Sequence, residues 1–195
     1  MNKRIQNLES NTLSDKTFLL KEYTFEYTHT DIHTPEKHLR EVYDHGDGAS
    51  VLLYNLTKKT VVLTQQFRLP TFLNGSKSGM SIEVCAGSLD GDTPEVCAKK
   101  EALEETGYDV NSVEKAFSVY ASPATMTEIA HLFIAEYTDE MKIERGGGLD
   151  HQEEYIDVLE IDFRKAFNMM ETGEIRDART VMLLQFLKIK DIMES

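Results

Sequence analysis

Apolar and polar residues alternate loosely over residues 18–28 (FLLKEYTFEYT), a stretch rich in aromatic and β-branched side chains, and this pattern predicts a strand. A polar, proline-containing turn at 31–37 leads to a second strand at 38–43 (HLREVY). The break HGDGAS then separates these strands from the rest of the chain. Clearer strands follow at 49–55 (ASVLLYN) and 60–67 (TVVLTQQF), and the link Thr57-Lys58-Lys59 is short enough for a hairpin. Residues 68–80 read as a loop by composition, and 81–85 as a short strand ending at Ala86-Gly87.

Asp92-Thr93-Pro94-Glu95 opens a helix, with Asp92 expected as the cap, Pro94 in the first turn and Glu95 completing a capping box. The helix runs to about Thr106, where Gly107 supplies the stop. Two more strands are predicted at 113–121 and 129–137. The charged loop 138–153, with Gly146-Gly147-Gly148, should be mobile. A strand at 155–161 and helices at 163–171 and 180–193, with apolar residues three to four apart, complete the chain. Strands interleaved with few helices predict an α/β or α+β domain built on a mixed sheet.

The length of 195 residues suits one domain with a small appendage, and the residues before the break are the natural candidate for it. Only Cys85 and Cys97 occur, which is no disulfide framework, and both read as buried thiols. No apolar run of about 18 residues exists and the first residues lack an apolar stretch, so a cytoplasmic protein without a membrane span is expected. The formal net charge is −13, from 21 Lys+Arg and 34 Asp+Glu. Such a surface argues against a nucleic-acid polymer as partner, because clustered cations supply that affinity. A small polyanion is still admissible if a bound divalent metal reverses the sign locally.

The placement of the acids bears on that condition. In KKEALEETG, Glu101 and Glu105 are four apart and share a helical face, with Glu104 close to it. Like charges so placed repel by a few tenths of a kcal/mol per pair. A hard cation held by oxygen ligands relieves this, and Mg²⁺ or Mn²⁺ fits. The competing reading is a solvated acidic face. A strand, Ala86-Gly87, an Asp/Gly turn and then this helix favour the metal, since glycine allows close approach of backbone to a ligand.

Here the sequence resembles the Nudix hydrolase family. In GSLDGDTPEVCAKKEALEETGY, Glu101, Glu104, Glu105 and Gly107 fall in register with the family motif. Asp92 stands where the family has Glu, Lys100 where it has Arg, and the loop from Gly87 to Asp92 is one residue shorter. Asp92 and Lys100 are expected to keep a shorter ion pair. Glu83-Val84-Cys85-Ala86-Gly87 resembles the Glu-x-Pro-Ala-Gly of nucleoside diphosphate sugar pyrophosphatases, with Cys85 for Pro. SPATMTEIAHLFIAEY, with Pro123, is similar to the group acting on ADP-ribose. REVYDHGDGASVLLYN, QQFR, NGSKSG, the triple glycine and TGEIRDART resemble the branch acting on GDP-mannose.

The resemblance implies an α/β/α sandwich with a mixed sheet and an N-terminal antiparallel β appendage. It places the appendage at residues 1–44, swapped between the subunits of a homodimer, and the hydrolase domain at 45–195. It implies Mg²⁺ (or Mn²⁺) held by the carbonyl of Ala86 and by Glu101, Glu105 and Glu154. Glu153, Glu154 and Glu104 are the candidates for the general base. Arg68 resembles a phosphate-binding residue and Glu128 a substrate-contacting one. Arg40 and Glu41 match residues that reach the partner subunit's site, and Arg179 falls at a basic contact. Glu83, Ala86, Gly87, Glu105 and Glu153 complete the implied substrate-binding set. His131, within a strand, reads as structural. The implied reaction is hydrolysis of the pyrophosphate bond of a nucleoside diphosphate sugar, GDP-mannose before ADP-ribose. A catalytically inactive nucleotide-binding regulator is the rival from another class.

Overall fold

The computed structural model describes residues 4–30, 34–148 and 155–193. They fall into two compact units. One holds the residues up to Asp47 together with Val119–Ile129, and the other holds the remainder.

In the first unit, β1 (Ile5–Asp15), β2 (Leu19–Tyr27) and β3 (Glu36–Asp44) form an antiparallel sheet in that order. β2 and β3 lie where the alternation predicted strands, whereas β1 has no counterpart in the sequence reading. Only Ser14 of β1 is even partly buried, so no apolar face marks this strand; its pairing to β2 defines it. The Val119–Ile129 segment adds to the unit through Tyr43, whose N–H donates to Thr125 O (2.8 Å) and whose carbonyl accepts from Thr127 N (3.2 Å). The Thr127 hydroxyl donates to Asp44 Oδ1 at 2.8 Å and helps hold that carboxyl below its usual range.

The second unit is built on a mixed sheet. Its strands are β4 (Gly48–Asn55), β5 (Thr60–Phe67), β6 (Met80–Glu83), β7 (Cys85–Ser88), β8 (Glu114–Tyr120), β9 (Ile129–Glu136) and β10 (Asp157–Asp162). The order is β10-β5-β4-β9-β8, with β6 added to β5 and β7 to β4. β4 and β9 are parallel, and the β4–β5 turn is the predicted hairpin, pinned by Asn55 Oδ1 accepting from Thr57 N and Lys58 N. Helix α1 (Leu69–Leu73) occupies part of the predicted loop; Pro70 sits in its first turn, where a missing N–H costs nothing. α2 (Pro94–Thr106), α3 (Phe163–Thr172) and α4 (Ala178–Ile189) follow the predicted helices closely.

β4 is buried on both faces, as a central strand must be. Val51 and Leu53 pack with Cys97, Ala98 and Ala102 of α2, Phe133 of β9, and Tyr108 and Tyr137. Leu52 points the other way by alternation, toward the side where α4 contributes the buried Leu183, Leu184 and Leu187. The result is an α/β/α sandwich. No helix among the described residues is long and apolar enough to cross a membrane.

Two local expectations are corrected. The cap of α2 is Thr93, accepting from Val96 N at 3.4 Å, and not Asp92. Pro94 prefers the first helical position, so the cap falls immediately before it. The strand expected at 81–85 is two strands broken at Val84, whose N–H leaves the ladder for the Thr180 hydroxyl at 2.9 Å.

Candidate active site

Helix α2 carries the acidic motif. The small side chains of Ala98 and Ala102, four apart and fully buried, let the helix lie close to β4. That seating turns Glu105 inward, to 4% exposure, while Glu101 and Glu104 stay half-buried. The stop is the expected one: Gly107 has φ +81° and its N–H donates to Leu103 O at 2.8 Å.

The glycine that begins the motif has a steric reason. Gly87 lies in β7 opposite Ala49, with Ala86 opposite Ser50. A Cβ built on Gly87 would come 2.1 Å from Glu101 Oε1 and 2.3 Å from its carboxyl carbon. The Glu101 carboxylate therefore occupies the space that any other residue at position 87 would fill. Gly87 and Glu101 are thereby brought together, with Ala86 next in the same strand.

On the β5–β6 side, Arg68 grips Glu83 with a fork. Its Nε lies 3.2 Å from both carboxylate oxygens and its Nη2 lies 2.8 Å from Oε2. Burial pushes the Glu83 carboxyl up, but the hydrogen bond and charge of Arg68, aided by Arg179, hold it below the usual range. Burial likewise works against the Arg68 cation, and Glu83, with Glu105 and Asp177, outweighs it. Arg68, Glu83, Glu105 and Arg179 thus share one electrostatic cluster. Arg179 Nε lies 3.8 Å from Asp177 Oδ1.

Thr180 was not singled out by sequence reasoning. It is fully buried, accepts from Val84 N and donates to Asp177 Oδ2 at 2.8 Å. It joins the start of α4 to the backbone between Glu83 and Ala86. Its signal was local: Asp177 three residues earlier is a helix cap.

Glu104 lines a cavity of about 1050 Å³ with Phe67, Lys142, Arg145, Gly146 and Tyr155. Lys142 Nζ stands 5.2 Å from the centre of the Tyr108 ring. The described part of the loop expected to be mobile holds a 3₁₀ turn, Asp139–Met141, and is hydrogen-bonded to the end of α2.

Arg40, Glu41 and Glu128 belong to the N-terminal unit. Arg40 and Glu41 are exposed on β3, where Arg40 Nη1 donates to Leu39 O at 2.7 Å. Glu128 is buried, with His45 Nε2 3.3 Å from its Oε2. Glu153 and Glu154 lie outside the described residues. His131 hydrogen-bonds Ser118 through Nδ1 at 2.9 Å. Both cysteines are buried, and burial raises both thiols, Cys97 to about 11. The expected ion pair between Asp92 and Lys100 is not among the salt bridges of the described residues.

No three His, Cys, Asp or Glu side chains converge as a metal site among the described residues. The donors that do gather, Glu101 seated on Gly87, the buried Glu105 and the backbone at Ala86, are all oxygens. That set suits a hard divalent cation once a further carboxylate joins it.

The fold, the strand–loop–helix unit and the seated carboxylate define a class. The sequence pattern of the NUDIX domain matches residues 44–187, and the chain belongs to the Nudix family of hydrolases. Hydrolases of this family generally use a divalent metal such as Mg²⁺. Residues 4–43 match the pattern described as the GDP-mannose pyrophosphatase NudK N-terminal domain. The chain is 50% identical over 194 residues, spanning all of both chains, to proteins named GDP-mannose pyrophosphatase from Escherichia coli O1:K1, Shigella boydii serotype 4 and Shigella sonnei.

Proposed function

We propose that this chain hydrolyses the pyrophosphate bond of a nucleoside diphosphate sugar, GDP-mannose in the first place, to GMP and mannose 1-phosphate. The supporting observation is the 50% identity that runs end to end, N-terminal domain included, to proteins named for that activity. Glu101, Glu105, Glu154 and the carbonyl of Ala86 would hold Mg²⁺, with Mn²⁺ as a substitute. Such a metal would supply positive charge to offset that on the diphosphate and would favour ionisation of the attacking water.

The chain's own groups do the rest. Arg68, its fork held by Glu83, places a positive charge for the diphosphate, and Arg179 adds a second. Gly87 keeps the strand backbone low beside Glu101. Glu128 would contact the remainder of the substrate, and Arg40 and Glu41 would reach the site of the second copy. One of Glu153, Glu154 and Glu104 accepts the proton of the attacking water as its oxygen bonds to one phosphorus. The bridging P–O bond to that phosphorus breaks, and the other phosphate leaves with the bridging oxygen.

Residues 1–44 serve as the dimerisation appendage, exchanged between two copies, and 45–195 as the hydrolase domain. The exposed β1, with Leu8 60% exposed, supports a second copy as its cover. The two free thiols suit a cytoplasmic enzyme.

The test is a panel of nucleotide sugars with Mg²⁺ in ¹⁸O-labelled water, run on the wild type and on Glu105→Gln. GDP-mannose should show the highest kcat/KM, and Glu105→Gln should abolish turnover. Preference for ADP-ribose would reassign the substrate, and no turnover of any member would favour the nucleotide-binding regulator.

A further inference from the structure

The carboxylates of α2 sit at the end of the helix least suited to them. A helix C-terminus is the negative pole of its dipole and leaves its last carbonyls without helical partners. Glu104 and Glu105 fall in that final turn, with Glu101 one turn earlier. Repulsion among the three and the unsatisfied carbonyls both act to fray it.

The loop after the Asp139–Met141 turn answers both problems. Gly147 N–H donates to Glu105 O at 2.8 Å and Gly148 N–H to Glu104 O at 3.2 Å. In the same sense, Gly107 O accepts from Ile143 N (3.0 Å) and Glu144 N (3.2 Å). The backbones meet so closely that neither side has room for a side chain. A Cβ on Gly146 would lie 2.5 Å from the Thr106 carbonyl carbon and 2.7 Å from Glu105 O; one on Gly107 would lie 2.1 Å from Glu144 O. Gly146 and Gly107 also have φ +71° and +81°, so both conformation and contact demand glycine.

We infer that Gly146 and Gly147 are positioning residues for the α2 carboxylates. They clamp the last turn of the helix by its backbone, so that Glu104 and Glu105 keep their aim against their mutual repulsion. The inference rests on the proposed metal-binding role of Glu101 and Glu105. It adds that their geometry depends on a segment some forty residues away in the chain, which the helix motif does not contain.

The test compares Gly146→Ala with Gly75→Ala. Gly75 also has positive φ (+96°) but has nothing within 4 Å of a built Cβ, so it isolates conformational strain from contact. Mg²⁺ affinity is measured by calorimetry without substrate, alongside kcat and KM for GDP-mannose. Gly146→Ala should weaken Mg²⁺ binding and lower kcat, each by about tenfold or more, because small misplacements of reacting groups are costly. Its KM should stay within about twofold, and Gly75→Ala should match the wild type. Wild-type Mg²⁺ affinity and kcat in Gly146→Ala would overturn the inference. Should that variant not fold, amide exchange in the wild-type protein decides: Mg²⁺ should slow exchange at Gly147 and Gly148, and an unchanged rate there also overturns it. If Glu105→Gln instead keeps Mg²⁺ binding and turnover, the carboxylate reading itself fails. A dead Glu105→Gln beside a wild-type-like Gly146→Ala sinks the clamp alone.

Discussion

Glu101 and Gly87 show how a single missing methyl group shapes this site. The carboxylate rests where the Cβ of residue 87 would be, so Gly87→Ala must displace it while leaving the strand itself acceptable to alanine. We expect kcat to fall by about a hundredfold with the circular dichroism spectrum unchanged, the scale set by misplacing a reacting group by an ångström or so. A near wild-type rate would mean that the position of the Glu101 carboxylate does not matter. At this scale the helical spacing of Glu101 and Glu105 was legible, because four residues along a helix is one turn whatever surrounds it. The grip of Arg68 on Glu83 was not. Both appeared as substrate contacts, and only the β5–β6 pairing turns the two side chains toward each other across 15 residues of chain.

At the scale of elements, α4 and the β6–β7 break depend on one hydroxyl. Thr180 satisfies the N–H of Val84, itself buried, and sits on the Asp177 cap. Thr180→Val keeps the volume and leaves that donor without its acceptor. Urea denaturation should show a loss of about 1–3 kcal/mol, the cost of an orphaned buried donor. Stability equal to the wild type would remove Thr180 from the supports of the site. Helices were read well because their periodicity and their caps are local, as with Gly107 at the end of α2; Gly173 ends α3 in the same way. Thr93 displaced Asp92 as cap by the local preference of proline for the first turn. β1 escaped detection for the opposite reason. An almost wholly exposed strand has no apolar face to announce it, and its partner β2 supplies its hydrogen bonds.

For the whole molecule, the charge of −13 argues against a nucleic-acid polymer but not against a small diphosphate, once position is considered. Part of that charge lies on α2, where under the proposed function the acids would serve to hold a divalent cation. The N-terminal sheet and its first turn leave Leu8, Leu13, Phe18 and Leu39 exposed, apolar surface that a second copy would cover under the proposed exchange. Light scattering at micromolar concentration should therefore give twice the 22.2 kDa of one chain. A solution containing only monomer would sink the exchange of the appendage.

Sequence by itself determined the helices, the central strands and the carboxylates of α2, since each rests on residues within a turn or two of one another. Only the tertiary structure decided what those groups meet: Glu101 laid on Gly87, Arg68 closed on Glu83, Thr180 bonded to Val84, and Gly146 pressed against the end of α2. The physical reason is common to all four. Each contact joins residues remote in the chain, and it is the packing of the sheet and its helices, not any local preference, that sets the distance between them.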